Sequence, residues 1–176
     1  HPRQRPPDPP LYPSGHNRLR TWHLSSAPFR HQKADCLRMT PMRAKQAAAD
    51  PCPCGLPGPY AACCGRFLDG GLIPVTAEEL MRSRYVAYAL RREEYLLRTW
   101  HPSTRPATLD LEKEAVRWLG LKVIRTFAGG AGDDTGTVEF VARYKLGGFM
   151  AHRLREASRF MREEGQWRYL DAEGAA

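Results

Sequence analysis

The chain has 176 residues and a formal charge of +8, with 27 Lys and Arg against 19 Asp and Glu. This length suits one ordinary domain with an appendage. No stretch approaches the roughly 18–20 consecutive apolar residues of a membrane span, and no apolar segment follows the first charges as it does in a secretory signal. We therefore expect a cytoplasmic protein without a membrane segment.

The first quarter of the chain, residues 1–42, carries most of the excess charge. It holds seven basic and two acidic side chains, a net charge of +5, and eight of the 15 prolines. Such a composition favours extended chain and buries too little apolar surface to fold. We predict a disordered Pro/Arg-rich tail, either native or a product of a misplaced start, with a basic nucleic-acid-binding arm as the alternative.

Residues 50–66 are rich in Gly and Pro, which predicts a tight knuckle instead of a helix or strand. Eight residues separate the pair Cys52 and Cys54 from the adjacent pair Cys63 and Cys64. Four thiolates complete a tetrahedral zinc site, and a closed set of protein ligands indicates a structural ion. Two disulfides or four free thiols are the alternatives.

Three helices are predicted after the knuckle. Thr76 and Glu79 have the spacing of a capping box ahead of an apolar run. A second helix is predicted over Glu93–Trp100, because the following His-Pro disfavours helical backbone. A third is predicted over Leu109–Leu119, where apolar residues recur at helical spacing and Gly120 provides a C-terminal cap.

The last third of the chain has the pattern of β-structure. Apolar and polar residues alternate along it, and Gly-rich turns separate the segments. We predict four strands, over Leu121–Phe127, Thr137–Leu146, Phe149–Arg162 and Trp167–Asp171. Helices followed by antiparallel strands indicate an α+β fold, with the helices on one face of a curved sheet.

The knuckle resembles the SEC-C motif, a small zinc knuckle whose usual pattern is C-P-C-G-S-G-K-x-[YF]-x-x-C-[CH]-G. The matching residues occur in the same order: Cys52, Pro53, Cys54, Gly55, Gly58, Tyr60, Cys63, Cys64 and Gly65. The resemblance implies that all four cysteines bind Zn²⁺.

Three further segments are similar to the YchJ-like family, at 76–88, 95–106 and 155–160. Members of this family place a SEC-C knuckle ahead of a domain like nuclear transport factor 2. The resemblance implies such a domain over residues 74–172, a cone in which about three helices pack against a curved antiparallel sheet of about four strands. It implies no biochemical activity.

Cones of this kind often enclose a pocket, and concave, mostly apolar cavities are common ligand sites. The candidate lining residues are Arg84, Tyr85, Tyr88, Trp100, His101, Trp118, His152, Glu156, Arg159 and Tyr169. The interpretation that competes with a pocket is an internal polar lattice of Arg84, Glu156 and Arg159 that fixes helix against sheet.

No known catalytic motif is present in the sequence. We expect a zinc-bearing binding or adaptor module without catalytic activity of its own, with an unidentified protein or small molecule as its partner. One alternative is a small-molecule isomerase or hydrolase with His101 or Glu156 as the base. Another is RNA or ribosome association through the knuckle and the nearby Arg66, Arg82, Arg91 and Arg92.

Overall fold

The computed structural model describes residues 48–111, 115–147 and 150–173, so the predicted tail at 1–42 lies outside the described residues. A 3₁₀ turn at Tyr60–Ala62 leads into three helices and four strands. These are α1 (Gly65–Leu68), α2 (Ala77–Ala89), α3 (Glu93–Arg98), β1 (Val116–Ala128), β2 (Thr135–Leu146), β3 (Ala151–Glu163) and β4 (Gln166–Ala172). Among the described helices, none has the length and apolar character needed to cross a lipid bilayer.

The four strands form one antiparallel sheet in the order β1-β2-β3-β4, which confirms the α+β prediction. Strand alternation gives the sheet an inner face that is packed against the helices. On β2 the inner residues Val138, Phe140, Ala142 and Tyr144 are all buried. Val138, Phe140 and Ala142 form one core with apolar residues of α2, including Leu80.

Local irregularities in the strands bend the sheet. The pairing of β1 with β2 shifts register between Trp118 and Gly120 and again between Val123 and Arg125. A third shift lies between Arg159 and Phe160 on β3. Bulges of this kind bend a strand and increase its twist. The sheet is therefore bent, not flat.

The helix predicted over Leu109–Leu119 is wrong. Val116 begins β1, where it pairs with Leu146, and Trp118 pairs with Tyr144. The helical spacing of Leu111, Ala115 and Trp118 was coincidental, because pairing with β2 and burial against α2 decide the conformation of this segment. The short helix α1, immediately after the knuckle, was not predicted.

The start of α2 is fixed by a cap and by a contact with the sheet. The Thr76 hydroxyl accepts a hydrogen bond from the Glu79 amide at 3.1 Å, as the sequence predicted. The Ala77 amide donates to the carbonyl of Gly129, in the turn between β1 and β2, at 2.8 Å. A Cβ on Gly129 would lie 2.7 Å from that of Ala77, so the close approach requires glycine.

A second attachment joins the end of α3 to the last strand. The Tyr169 amide donates to the Thr99 carbonyl at 2.9 Å, and the His101 amide donates to the Tyr169 carbonyl at 2.7 Å. Trp100 and Tyr169 form an isolated parallel bridge at this point. The helical layer is thus attached to opposite ends of the meander, at the β1–β2 turn and at β4.

Candidate metal centre and cone interior

The knuckle reverses direction through backbone hydrogen bonds. The Cys52 amide donates to the Gly58 carbonyl at 3.2 Å, and Pro51 and Pro59 form an antiparallel bridge. Gly55 has φ of +83°, a left-handed conformation that side chains disfavour. This reversal returns the chain so that Cys63 lies beside Cys54.

The four cysteines converge into one cluster, with their Sγ atoms all within 4.8 Å of one another. The Sγ of Cys63 lies 3.5 Å from that of Cys54 and 4.0 Å from that of Cys64. These separations exceed a disulfide bond of about 2.05 Å, and all four cysteines are free. A tetrahedron with metal–sulfur bonds of about 2.3 Å has edges of about 3.8 Å, so the set fits a tetrahedral ion.

The electrostatics of the cluster favour a cation at its centre. Hydrogen bonding to Cys52 and Cys54, together with burial, raises the pKa of the Cys64 thiol. Burial and the same two neighbours raise the pKa of Cys63 to about 12. Several thiolates so close together repel one another, and a divalent ion relieves that repulsion.

The knuckle packs against the body of the protein. Cys52, Cys54, Cys64 and Tyr60 are buried and belong to the same apolar cluster as Leu80 and Phe140. Arg82 of α2 donates to the Cys54 carbonyl at 3.2 Å. A metal bound here would therefore stabilise both the loop and its contact with α2.

Arginines near the knuckle are engaged by carboxylates. Arg66 pairs with Glu79 at 2.7 Å, Arg82 pairs with Glu78 at 2.7 Å, and Arg92 pairs with Asp69 at 3.1 Å. These ion pairs reduce the positive electrostatic potential beside the knuckle. RNA association through these arginines was one of the alternatives predicted from the sequence.

The interior of the cone contains a buried arginine from α2. Arg84 is 4% exposed. Its Nη1 donates to the Leu96 carbonyl at 2.8 Å and to the Thr99 hydroxyl at 2.9 Å. The guanidinium also lies over the rings of Trp100 and Tyr169, at 4.8 Å and 4.4 Å from their centroids. Burial lowers the pKa of Arg84 from its usual value.

Glu156 of β3 provides a carboxyl group in the same interior. Burial raises its pKa, against a hydrogen bond from Ser158 and the positive charge of Arg84, which both lower it. The Ser158 hydroxyl donates to Glu156 at 2.7 Å. Burial, followed by the charge of Glu156, raises the pKa of Tyr169. A half-buried carboxyl group with a perturbed pKa can bind a cation or exchange a proton.

Aromatic side chains extend from α2 across the inner face of the sheet. Trp118 lies 5.6 Å from Tyr85, 6.1 Å from Tyr88 and 5.8 Å from Tyr144 between ring centroids. Tyr144 stacks on His152, which is exposed. Seven of the ten candidate pocket residues therefore face the interior or its aromatic row together: Arg84, Tyr85, Tyr88, Trp100, Trp118, Glu156 and Tyr169. An eighth, His152, is at the exposed end of this row.

Two candidates lie elsewhere. Arg159 is on the outer face, where it forms two hydrogen bonds with Asp171 at 2.6 Å and 2.5 Å. It is therefore no part of an internal lattice, because strand alternation points it away from Glu156. His101 accepts or donates a hydrogen bond with Ser103 at 2.7 Å in an exposed turn. The structure thus gives His101 and Glu156 separate partners.

Sequence reasoning missed several residues that organise these sites. Thr99 and the Leu96 carbonyl satisfy Arg84, and a backbone carbonyl carries no signal in a sequence. Glu139 on the outer face lies between Arg125 and Arg155, with ion-pair distances of 2.5 Å to both. Strand alternation alone could have assigned Glu139 to the outer face. The strand register that places Glu139 between the two arginines cannot be read from the sequence.

Comparison with known proteins places these features among bacterial homologues. The family model described as the YchJ middle NTF2-like domain matches residues 76–172. A UPF0225 protein of Chromobacterium violaceum is 55% identical over 132 residues, which cover 73% of this chain and 96% of that protein. A UPF0225 protein of Streptomyces avermitilis is 52% identical over 122 residues, covering 69% of this chain and 83% of the relative.

Two solved structures share the architecture. A SEC-C motif containing protein from Rhodopseudomonas palustris is 34% identical, with a TM-score of 0.62, and the match covers 70% of this chain and 98% of that one. A SEC-C motif containing protein from Psychrobacter arcticus is 27% identical, with a TM-score of 0.58, covering 70% and 82% of the two chains.

Proposed function

The chain belongs to the YchJ family, and we propose that it is a binding module whose knuckle is held together by one structural Zn²⁺ on Cys52, Cys54, Cys63 and Cys64. The observation that carries this proposal is the convergence of four free thiols within 4.8 Å. The likeness to SEC-C motif proteins supports the same conclusion.

The ligand set supports zinc in a structural role. Four thiolates suit Zn²⁺, and they would leave no coordination position open to a substrate or water. Three of the four cysteines are buried in the apolar core, where a bound ion would tie the loop to α2. A four-thiol site also requires reduced cysteines, which supports a reducing compartment such as the cytoplasm.

A non-catalytic role is supported by the hydrogen-bond partners of the two residues considered as a base from the sequence, because neither residue is bonded to the other. His101 is engaged with Ser103 and Glu156 with Ser158. General acid–base catalysis requires its groups within about 3 Å of a reacting proton, directly or through one water. We therefore assign the cone a binding role, with Arg84 and Glu156 as its charged interior groups.

Metal analysis of the purified full chain tests the proposal. We expect about one zinc ion per chain in the wild type and fewer than about 0.3 in Cys52→Ser, because a tetrahedral site loses a quarter of its ligands. Cys36→Ser is the matched control, since it removes a cysteine that is not part of the four-cysteine sequence motif, and it should keep wild-type zinc.

Two results would overturn the zinc assignment. One is a wild-type protein that remains metal-free after reconstitution with excess Zn²⁺. The other is iron as the bound metal, which elemental analysis and the visible absorption of ferric thiolates would reveal. Equal zinc in Cys52→Ser and wild type would place the ion at a different site.

A further inference from the structure

The outer face of the sheet concentrates positive charge that the sequence distributes along four strands. Strand register places nine basic and three acidic side chains on this face, a formal excess of +6. The basic residues are Arg117, Lys122, Arg125, Arg143, Lys145, Arg153, Arg155, Arg159 and Arg168, and the acidic ones are Glu139, Glu163 and Asp171. All residues after 42 together carry only +3, from 20 basic and 17 acidic side chains.

The three carboxylates lie toward one end of this face and are paired there. Glu139 pairs with Arg125 and Arg155 at 2.5 Å each, and Asp171 pairs with Arg159 at 2.5 Å. Glu163 lies 4.0 Å from Arg168. Four of the nine cations are therefore compensated locally.

The other five cations form a cationic patch at the opposite end of the sheet, where β1 begins, β2 ends and β3 begins. Arg117 is directly opposite Lys145, and Arg143 is directly opposite Arg153. Lys122 completes the patch from β1. Within residues 48–111, 115–147 and 150–173, no carboxylate lies at ion-pair distance from any of the five.

The patch is costly for the isolated protein. Like charges directly opposite each other on adjacent strands destabilise a sheet, and Arg143 and Arg153 occupy such a position with both side chains exposed. Such a charge conflict without a local structural benefit is typical of a functional surface. An anion that bridges the two guanidinium groups would remove the repulsion.

We propose that the cationic patch, Arg117, Lys122, Arg143, Lys145 and Arg153, binds the phosphate backbone of single-stranded nucleic acid. This inference gives nucleic acid as the class of partner of the proposed binding module. It rests on the proposed function only for the statement that the protein binds a partner. Neighbouring strands are about 4.8 Å apart and same-face residues about 6.6 Å apart along a strand, so the patch offers several phosphate contacts within a few nucleotides. Guanidinium groups bind phosphate oxygens in pairs.

The shape of the face favours a flexible strand over the other large anions. The register shifts bend the sheet, so a flat anionic bilayer would touch only part of the patch, whereas a single strand can follow the bent face. No helix projects from this face to enter a duplex groove among the described elements. The knuckle arginines Arg66 and Arg92 are already paired with carboxylates, which makes them the weaker site.

Fluorescence anisotropy of the full chain with a labelled oligonucleotide of about 12 nucleotides tests the proposal, with RNA, DNA and duplex versions as separate arms. We expect a Kd of about 10⁻⁴–10⁻⁶ M near physiological salt, and a slope of log K on log salt of about −3. Arg143→Ala combined with Arg153→Ala should weaken binding about tenfold at about 50 mM salt and reduce the slope by about 1.4.

The matched control is Arg66→Ala combined with Arg92→Ala, which removes the same charge beside the knuckle and should leave the affinity within about twofold. The charge on residues 1–42 is identical in both variants, so only their difference reports on the sheet. Folding of the sheet variant is checked by its unfolding temperature, which should not fall, because its substitutions remove a repulsion.

Equal losses in the two variants, or a larger loss in the knuckle variant, would overturn the assignment to the sheet. Tighter binding to the duplex, to phosphatidylserine vesicles or to polyglutamate than to the single strand would overturn the assigned partner. Zinc content is measured on the same samples. A zinc-loaded protein that fails to bind any oligonucleotide would refute this inference and leave the metal proposal standing.

Discussion

In the knuckle, four thiols meet within 4.8 Å and a few backbone hydrogen bonds hold the loop, whereas in the sheet domain aromatic and aliphatic side chains from α2 and four strands form the core. The knuckle contributes three buried cysteines and one tyrosine to that core. On the proposed function, a bound metal would also neutralise the clustered thiols and hold the loop. The sheet domain can bury apolar surface and even an arginine without an external ligand. With the proposed metal, a short, Gly/Pro-rich segment would be stabilised by metal coordination, whereas the longer segment is stabilised by burial.

Removal of the metal should have the largest effect and should separate the two regions. With a zinc chelator, we expect the amides of residues 52–65 to lose their protection from hydrogen exchange, while those of β2 keep theirs. Structural zinc contributes about 10–16 kcal/mol of binding free energy in small zinc-finger peptides, so the loss in the loop should be complete. Simultaneous loss of protection in β2 would show that the two regions unfold as one unit.

Arg84→Ala tests the interior of the sheet domain. The substitution should reduce the free energy of unfolding by about 3–5 kcal/mol in urea denaturation, because it leaves a cavity and strips Thr99 and Glu156 of a neighbouring positive charge. Zinc content should stay unchanged, which assigns the effect to the domain alone.

Arg66→Ala provides the control for this prediction. Its guanidinium is 42% exposed in a surface pair with Glu79, and such pairs contribute about 0–1 kcal/mol. An equal loss in the free energy of unfolding for Arg66→Ala and Arg84→Ala would mean that burial of Arg84 does not increase its contribution to stability.

Glu139→Gln should have the smallest effect and should depend on pH. Hydrogen bonds from Arg155 and Arg125 lower the pKa of Glu139 from its ordinary value of 4.5. Its contribution to stability is therefore fully present above pH 4.5 and is lost as the pH falls below 4.5 through the folded-state pKa. Wild type should exceed the variant in stability at neutral pH, and the two should converge under acid.

The exposed Glu164, in the turn between β3 and β4, offers a matched control. Urea denaturation of wild type, Glu139→Gln and Glu164→Gln between about pH 7 and pH 3 gives the comparison. A constant gap between wild type and Glu139→Gln over this range would contradict the assigned role of the carboxylate.

The sequence predicted most of the architecture because local patterns encode it. The alternation of Val138, Phe140 and Ala142 placed β2, and Thr76 marked the start of α2 as an N-terminal cap. The four cysteines were recognised together because their spacing is itself the signal. These features need no knowledge of distant contacts.

The remaining features depend on register and on partners far along the chain. Trp118 has helical spacing with Leu111 and Ala115, and only pairing with β2 makes its segment a strand. The opposition of Arg143 and Arg153 likewise follows from the β2–β3 register. The net charge of the sequence therefore gave no sign that positive charge is concentrated on the outer face of the sheet.

The two attachments of the helical layer have a consequence for how the domain folds. Each strand pairs with its neighbour in the chain, so the meander forms through short loops, which favours early and rapid formation. The contacts of Ala77 with Gly129 and of Thr99 with Tyr169 close loops of 52 and 70 residues by subtraction of their numbers. Because closure entropy must be met before such contacts contribute, we expect them to form last. The helices would then complete a sheet that already exists, and the order of assembly would be the reverse of the order in the chain.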